Sequence, residues 1–392
     1  MFNLLLTLSS VALFSDIVYE GSRSIASPFM YSKEASIIFV SFIAGLGEFI
    51  NYFFRILFGY LADKTKKYWS FLITGYILTA FSVPLLAFAN NYTTVGLLLL
   101  TERLGKAIRS PSKDTIISYI GHKYGQGFTF GIHELIDQAG AIIAPLIIGM
   151  ILIFSNNNYK TAFLFLTIPG IISLILLFFA KLKFSKIIDN EIIENKKKEN
   201  NKKTNFLKNK NFWIYILGMS LFGFGFTNFF LISYHYKSLN IFEPSGIAFL
   251  YSIAMLFDGL FAIIIGKLFD NFGIKILILC IFLSLLSTPL LFLSAWNWVI
   301  VVAIGLWGIG VAMQESVMKS YISNITSVDE RATAFGIFNS IYGISNLVGA
   351  AILGYFYKFS VINMILFSVF LQLLGILFLA IIIKKEDTQN HR

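Results

Sequence analysis

The stretch GIHELIDQAG places three ionisable side chains, His133, Glu134 and Asp137, directly before residues 141–154, which contain no charged residue. In a helix, His133 and Asp137 lie one turn apart on the same face, and Glu134 and Gln138 share the adjoining face. Burial in a medium of low dielectric favours the neutral form of a carboxylate, so a carboxylate here could take up and release a proton. The alternative is a fixed salt bridge that never titrates.

His133 and Glu134 also begin the zinc-binding pattern H-E-x-x-H. Asp137 occupies the position of the second histidine, however, so we predict no metal site in this stretch. Elsewhere the sequence shows no nucleophile–base set and no group of metal ligands, and the segments between apolar runs are short. We therefore predict that the chain is not an enzyme and needs no cofactor.

The composition predicts an integral membrane protein. Of the 392 residues, 57% are hydrophobic and 13% are charged, whereas a soluble domain is typically about 25% charged. Apolar segments recur at the length of roughly 20 residues that crosses a bilayer as a helix, without the alternation of a membrane barrel. We predict an all-α fold with twelve transmembrane helices at residues 3–28, 35–61, 68–89, 93–112, 127–154, 161–180, 211–236, 245–266, 274–295, 297–318, 332–357 and 360–383.

Lysine and arginine are distributed unevenly among the segments that connect these spans. With the N-terminus inside, the cytoplasmic segments hold 23 of the 31 such residues and the outer loops hold 4. This is the positive-inside bias of a multi-pass protein of the cell membrane with both termini in the cytoplasm.

A run rich in Lys and Asn, residues 186–210, separates six spans from six spans. The positive-inside bias explains its charge, so we predict no nucleic-acid partner and interpret the run as a cytoplasmic linker that rests on anionic lipid. The predicted organisation is an N-terminal six-helix bundle, a linker and a C-terminal six-helix bundle, at residues 1–182, 183–210 and 211–392.

Charged side chains also lie inside the predicted spans, where each costs about 2.5–3.5 kcal/mol unless it is paired or faces a cavity. The candidate proton-coupling and cavity residues are Asp16, Glu20, Arg23, Glu48, Arg55, Glu102, Arg103, Lys106, His133, Glu134, Asp137, Asp258 and Glu315.

Four of these residues fall at similar depths in four different spans, at a rise of about 1.5 Å per residue. They are Asp16, Glu48, Arg103 and Asp137. The sequence therefore predicts a central cluster of carboxylates around Arg103. A carboxylate that pairs with Arg103 in one state and is protonated in another would couple proton movement to gating. Asp137 is the first candidate, followed by Glu48 and Asp16.

The C-terminal half is poor in charge within its spans and rich in aromatic residues. Those of span 7 are Phe222, Phe224, Phe226, Phe229, Phe230 and Tyr234, and span 10 adds Trp307, Gln314 and Glu315. They suggest an apolar or amphiphilic surface for a substrate. The alternative is ordinary packing and lipid contact, because the chain has 42 phenylalanines in all.

Three short patterns of the first six spans recur in the second six. GYLADKTKK begins at Gly59 and GKLFDNFGIK at Gly266, FGI opens spans 5 and 11, and SYI closes span 4 and follows span 10, at offsets of 207, 205 and 202 residues. Three matches in one order indicate a duplicated unit. Because six is even, both copies cross the membrane in the same direction, and such repeats place a substrate site at their interface near the bilayer midplane.

The chain resembles the major facilitator superfamily along essentially its whole length. The loop motif of that family, Gly-x-Leu-Ala-Asp-Arg-x-Gly-Arg-Lys, is matched at Gly59, Leu61, Ala62, Asp63, Lys64 and Lys67. The chain departs from the motif at Lys66, where Gly is usual, and at Tyr68, where a base is usual. The second copy keeps Gly266, Leu268, Asp270, Gly273 and Lys275. The resemblance implies a cytoplasmic gating loop, and the alternative is a polar tight turn.

Span 5 resembles a second signature of the family, Gly-x8-Gly-x3-Gly-Pro-x2-Gly-Gly. The chain keeps Gly131, Gly140, Pro145 and Gly149, while Ala144 and Ile148 stand where glycines are usual. The resemblance implies export by exchange, and glycines and proline would serve close packing and a kink of the helix. The alternative is a kinked packing helix without meaning for the direction of transport.

The resemblance implies a secondary active transporter that works by alternating access between two six-helix bundles. We predict proton-coupled efflux of a small organic molecule by a monomer in the lipid bilayer, with protons as the coupling ion. Two alternatives stay open. One is proton-coupled or facilitative uptake of a small metabolite, and the other is a non-transporting membrane receptor or scaffold.

Overall fold

The computed structural model of the protein describes residues 1–195, 206–326 and 328–390. The regular structure in these ranges is helical. The α-helices are α1 (Phe2–Ser32), α2 (Ile37–Thr65), α3 (Tyr68–Leu85), α4 (Tyr92–Tyr124), α5 (Gln126–Phe154), α6 (Tyr159–Phe165), α7 (Thr167–Asn195), α8 (Lys210–Gly225), α9 (Phe229–Ser238), α10 (Pro244–Phe272), α11 (Ile274–Leu293), α12 (Asn297–Ser316), α13 (Met318–Ile325), α14 (Val328–Phe359) and α15 (Val361–Asn390).

The helices confirm the all-α membrane fold. Within the described ranges, eleven helical segments are long and apolar enough to cross a membrane. The one predicted span that is not among them, residues 93–112, lies in α4. The 33 residues of this helix extend about 50 Å at 1.5 Å per residue. Its charged residues keep it from being recognised by hydropathy alone. Of the predicted linker, residues 183–210, positions 196–205 lie outside the described part of the chain, and α7 continues to Asn195.

Helix α4 is longer than its predicted span, which was to end at residue 112. The helix continues to Tyr124 and ends at Gly125, whose φ of 93° is open to glycine but strained for other residues. Lys113 and Lys123 therefore lie on the helix, beyond the predicted end of span 4. An apolar run ends where charge begins, whereas a helix ends only where its backbone is interrupted.

Predicted span 7 is not one continuous helix. α8 ends at Gly225 and α9 begins at Phe229, where the Asn228 side chain accepts the Leu231 amide at 2.9 Å. Helix interruptions in an apolar medium need partners for the released carbonyls. Side chains supply them: Ser368 Oγ donates to the Gly225 carbonyl at 2.6 Å, and Trp307 Nε1 donates to the Thr227 carbonyl at 2.7 Å.

The described residues form two compact units. The first comprises Met1–Ala35, Ile50–Asn200 and Tyr236–Ser252, and the second comprises Ser36–Phe49, Asn201–His235 and Ile253–Arg392, as far as these ranges are described. Glycines allow close helix packing inside each unit. In the first unit, a β-carbon at Gly75 would lie 2.5 Å from the Gly105 carbonyl oxygen. In the second unit, a β-carbon at Gly375 would lie 2.8 Å from the Gly218 carbonyl oxygen.

Candidate functional site

A buried tyrosine on α1 gathers three of the predicted cations of the first unit. Tyr19 is 2% exposed, and its hydroxyl accepts hydrogen bonds from Arg23 Nη1, at 3.0 Å, and from Arg103 Nη1. The ring face also attracts positive charge. Lys106 Nζ lies 4.1 Å from the ring centroid, Arg103 Cζ 4.7 Å and Arg23 Cζ 5.9 Å. We call Tyr19, these three cations, Glu20 and Glu102 the Tyr19 cluster.

The two glutamates of the Tyr19 cluster have different partners. Glu102 Oε2 lies 3.9 Å from Arg103 Nε, so the two charges compensate each other in the buried part of α4. Glu20 Oε2 accepts a hydrogen bond of 2.5 Å from Tyr251 Oη. Tyr251 belongs to α10, whose first residues lie in the same unit as α1. The neutral hydroxyl of Tyr251 on α10 therefore binds the Glu20 carboxylate.

A second group of charges surrounds Asp137 on α5. Asp137 Oδ2 lies 3.7 Å from Lys113 Nζ of α4. One turn before it, His133 is 3% exposed, and its Nδ1 lies 3.1 Å from Ser9 Oγ of α1. We call Asp137, Lys113 and His133 the Asp137 cluster. Glu134 is hydrogen-bonded to Gln138 on the adjoining face, as the helical spacing predicts.

Asp16 interacts electrostatically with members of both clusters. Its partners are Asp137 and Lys113 of the Asp137 cluster and Lys106 and Glu20 of the Tyr19 cluster. One turn of α1 separates it from Glu20, so the same helix contributes to both clusters. The structure thus brings Asp16, Arg103 and Asp137 of the predicted central group into one unit.

The other predicted charges lie elsewhere. Glu48 belongs to the second unit and Arg55 to the first, although both are half-buried residues of α2. The grouping of Glu48 with the residues around Arg103 therefore stays a prediction. Asp258 of α10 is 1% exposed in the second unit, and Glu315 of α12 is exposed there.

Three residues that sequence reasoning missed complete the two clusters: Tyr19, Lys113 and Tyr251. A helical signal for Tyr19 exists, because it follows Asp16 by three residues and precedes Arg23 by four, on one face. Lys113 was missed because it follows the apolar run of α4. No sequence signal links Tyr251 to Glu20, since the two residues are 231 positions apart.

The loop between α2 and α3 compensates for both departures from the family motif. Lys66 has a φ of 59°, the left-handed conformation that Gly would adopt at this position. Tyr68 Oη donates a hydrogen bond of 2.7 Å to Asp63 Oδ1 and accepts one of 3.4 Å from Lys66 Nζ. Tyr68 thus binds Asp63 where the family places a base. Lys67 is exposed, and a β-carbon at Gly59 would lie 3.4 Å from Pro111 of α4.

The loop between α10 and α11 also has a residue with positive φ. Gly273, which aligns with Lys66, has a φ of 59°. Asp270 and Lys275 are exposed, and a β-carbon at Gly266 would meet open space. A positive φ therefore recurs at the aligned position of the two patterns, and the internal repeat stays a prediction.

Two glycines of the second signature mark close contacts of α5. A β-carbon at Gly140 would lie 2.7 Å from the Leu13 carbonyl oxygen of α1, and one at Gly149 would lie 2.7 Å from the Phe249 ring of α10. Pro145 is buried between them, whereas Gly131 faces open space. The signature thus serves helix packing here, whichever direction the protein transports.

Several aromatic residues predicted to face a substrate pack inside the second unit. Phe226 stacks on Trp307 with ring centroids 5.7 Å apart and an interplanar angle of 19°. Trp307 is 1% exposed, and Phe222 is also fully buried. Tyr342 Oη donates to Gln314 Oε1 at 2.6 Å, which holds α14 to α12. These contacts agree with the packing alternative for this surface.

Comparison with known proteins gives consistent matches. The family model described as Major Facilitator Superfamily matches residues 8–242 and 226–392. An uncharacterized protein of Mycobacterium tuberculosis is 31% identical over 366 residues, covering 93% of this chain and 89% of the relative. An uncharacterized MFS-type transporter of Methanocaldococcus jannaschii is 28% identical over 335 residues, covering 82% and 80%.

Solved structures of transporters share the fold. The nucleoside transporter NupG superimposes with a TM-score of 0.74 at 17% identity, covering 96% of this chain and 98% of that chain. A POT family transporter in complex with a thioalcohol-conjugated peptide gives a TM-score of 0.73 at 17% identity, covering 98% and 96%.

Proposed function

The chain belongs to the major facilitator superfamily and is a membrane transporter, and we propose that it couples the movement of a small organic molecule to protons. One observation carries this proposal. Asp16 and Asp137 interact electrostatically within a membrane-spanning unit, and both lie in range of Lys106 and Lys113. Neighbouring carboxylates in a poorly solvated place share a proton readily.

The geometry suggests how the two carboxylates divide their roles. Asp137 has Lys113 as an ion-pair partner at 3.7 Å, which favours its charged form. Asp16 interacts with lysines only at longer range, so in the proposal it binds the proton. When Asp16 loses that proton, its carboxylate competes with Asp137 for Lys106 and Lys113. The competition rearranges contacts between α1, α4 and α5, and through them the access of the site to the two sides of the membrane.

Export by exchange with protons is the direction that we propose. It is supported by the resemblance of α5 to the signature that accompanies export in the family. Uptake is the second candidate, and the position of Lys106 favours it. A proton on Asp16 leaves Lys106 with less compensating charge, so an anion would then enter together with the proton rather than against it.

Orientation, location and assembly complete the proposal. The excess of lysine and arginine in the predicted inner segments supports a location in the cell membrane with both termini in the cytoplasm. The two predicted repeats supply a complete transport unit within one chain, so we propose a monomer. In this orientation the loop of Asp63 lies on the cytoplasmic side, where it would act as the gating loop.

A vesicle experiment tests the coupling. Purified protein is reconstituted with an internal pH dye under an imposed pH gradient, and cationic, neutral and anionic compounds are added, including nucleosides and short peptides because the structural neighbours are named for them. We expect proton flux that depends on a compound and disappears in Asp137→Asn. Glu34→Gln, which removes an exposed carboxylate between α1 and α2, is the control.

Two results would exclude parts of the proposal. Compound flux without proton flux, unchanged in Asp137→Asn, would show facilitated diffusion and leave Asp137 with a structural role. The absence of flux for every compound, in vesicles whose protein is folded and correctly inserted, would favour a receptor or scaffold.

A further inference from the structure

The Lys106 ammonium is held in an unusual way for a buried part of a membrane protein. Its direct contact in the described part of the chain is the face of the Tyr19 ring, at 4.1 Å from the centroid. In those residues no carboxylate approaches it within the 4 Å of an ion pair, although Asp16, Glu102 and Glu134 attract it from farther away. A ring face compensates part of the charge but is a poor hydrogen-bond acceptor for the three N–H groups of the ammonium.

A second cation lies on the same ring. The Arg103 guanidinium carbon is 4.7 Å from the Tyr19 centroid, and its Nη1 donates to the Tyr19 hydroxyl. Glu102 partly compensates this charge, with 3.9 Å between Glu102 Oε2 and Arg103 Nε. With Arg23, three cations lie on this ring against the carboxylates of Glu20 and Glu102. The Tyr19 cluster therefore has one formal positive charge in excess, which an incoming oxyanion would compensate.

Two of the nearby carboxylates already have other partners. Glu20 accepts the Tyr251 hydroxyl at 2.5 Å, and Asp137 pairs with Lys113 at 3.7 Å. Asp16 remains, and it is the residue to which the proposed function assigns the proton. When Asp16 is neutral, Lys106 loses one of the carboxylates that attract it, and an anion from outside the protein can take its place.

We propose that Lys106 and Arg103 bind an oxyanion group of the transported molecule, a carboxylate or a phosphate, over the ring of Tyr19. The transported molecule is then a small organic anion. This assignment rests on proton-coupled transport in the direction of uptake, the second candidate above, and names its substrate class. Lys106 supplies a compact positive charge, and Arg103 adds the positive charge of a guanidinium beside it.

Four probes with the same ring and different head groups test the assignment. Benzoate and phenyl phosphate carry the two oxyanions, benzamide is neutral and benzylamine is a cation. The midpoint of thermal unfolding is measured for the purified full chain with each probe. We expect at least one of the two anions to raise the midpoint, while benzamide and benzylamine do not. Comparison of the two anions decides between carboxylate and phosphate.

Variants of Lys106 show whether the site is the one described. Lys106→Gln should weaken anion binding by about tenfold or more, because a charge-assisted contact is lost, and Lys106→Arg should restore most of it. Lys160→Gln is the matched control, since Lys160 also lies over an aromatic ring, 5.4 Å from the Phe88 centroid, but outside the Tyr19 cluster. The unfolding midpoint without a probe shows whether each variant is folded.

Three results would overturn the assignment. The first is an unfolding midpoint that benzylamine raises and the anions do not. The second is a rise of the midpoint by an anion that is the same in Lys106→Gln. The third is an unfolding midpoint that neither anion raises up to its limit of solubility. Binding is measured here without a proton gradient. Failure of proton coupling in vesicles therefore leaves this result standing, and failure of anion binding leaves the coupling result standing.

Discussion

Lys113 Nζ lies 3.7 Å from Asp137 Oδ2 and joins α4 to α5 by an ion pair. Both side chains are 18% exposed, so water screens their attraction only in part. A separate contact of 3.1 Å between His133 Nδ1 and Ser9 Oγ joins α5 to α1, on which Asp16 also lies. The proposed proton site therefore depends on Lys113, which a hydropathy profile of the sequence places outside the membrane.

Removal of one member of this pair should destabilise the protein more than removal of both. We expect Asp137→Asn and Lys113→Gln each to lower the free energy of unfolding by about 3 kcal/mol, because each leaves a poorly solvated charge uncompensated. The double variant should recover part of this loss. A double-mutant cycle from unfolding in detergent micelles measures the coupling. Strictly additive losses would contradict a direct interaction.

The Tyr19 hydroxyl should matter independently of its ring. Tyr19→Phe keeps the ring face for Lys106 but removes the acceptor of two guanidinium donors, from Arg23 and Arg103. We expect a loss of about 1–3 kcal/mol in stability, as for buried donors left without a partner. Tyr355→Phe, at a 52% exposed position of α14, is the control. Equal stability of the two variants would mean that the hydroxyl contacts are weak.

Much of the fold and of the site could be predicted from the sequence. Membrane-length apolar runs determine the helices, and charge within a span is costly enough to mark Asp16, Arg103 and Asp137 as candidates. Neutral partners such as Tyr19 and Tyr251 give no such signal, because aromatic residues are common in every span. The interruption between α8 and α9 was also missed, since its carbonyls are satisfied by residues distant in sequence.

The two glycines of the second loop motif should respond oppositely to alanine. Gly273 has φ 59° and ψ −139°, a conformation almost restricted to glycine, so Gly273→Ala should cost about 1–3 kcal/mol. Gly266 lies inside α10 with open space around its α-carbon, and Gly266→Ala should be neutral or slightly stabilising. Unfolding midpoints of the two variants measure the difference. A stable Gly273→Ala would contradict the turn geometry.

Labelling of introduced cysteines should reveal the orientation. The natural Cys280 is 3% exposed, so it should react slowly with a membrane-impermeant maleimide. Lys64→Cys, next to the Asp63 loop, should be labelled only after the membrane is permeabilised, and Lys160→Cys should be labelled in intact cells. The reverse pattern would show that the termini lie outside.

The central claim is that Asp16 binds the proton that drives transport. The most direct measurement compares two activities of Asp16→Asn in vesicles, with the compound identified by the flux assay. The account predicts that exchange of labelled for unlabelled compound continues, because it requires no net proton movement, while accumulation driven by a pH gradient is lost. Accumulation equal to that of the wild type would contradict the account and remove Asp16 from the coupling mechanism.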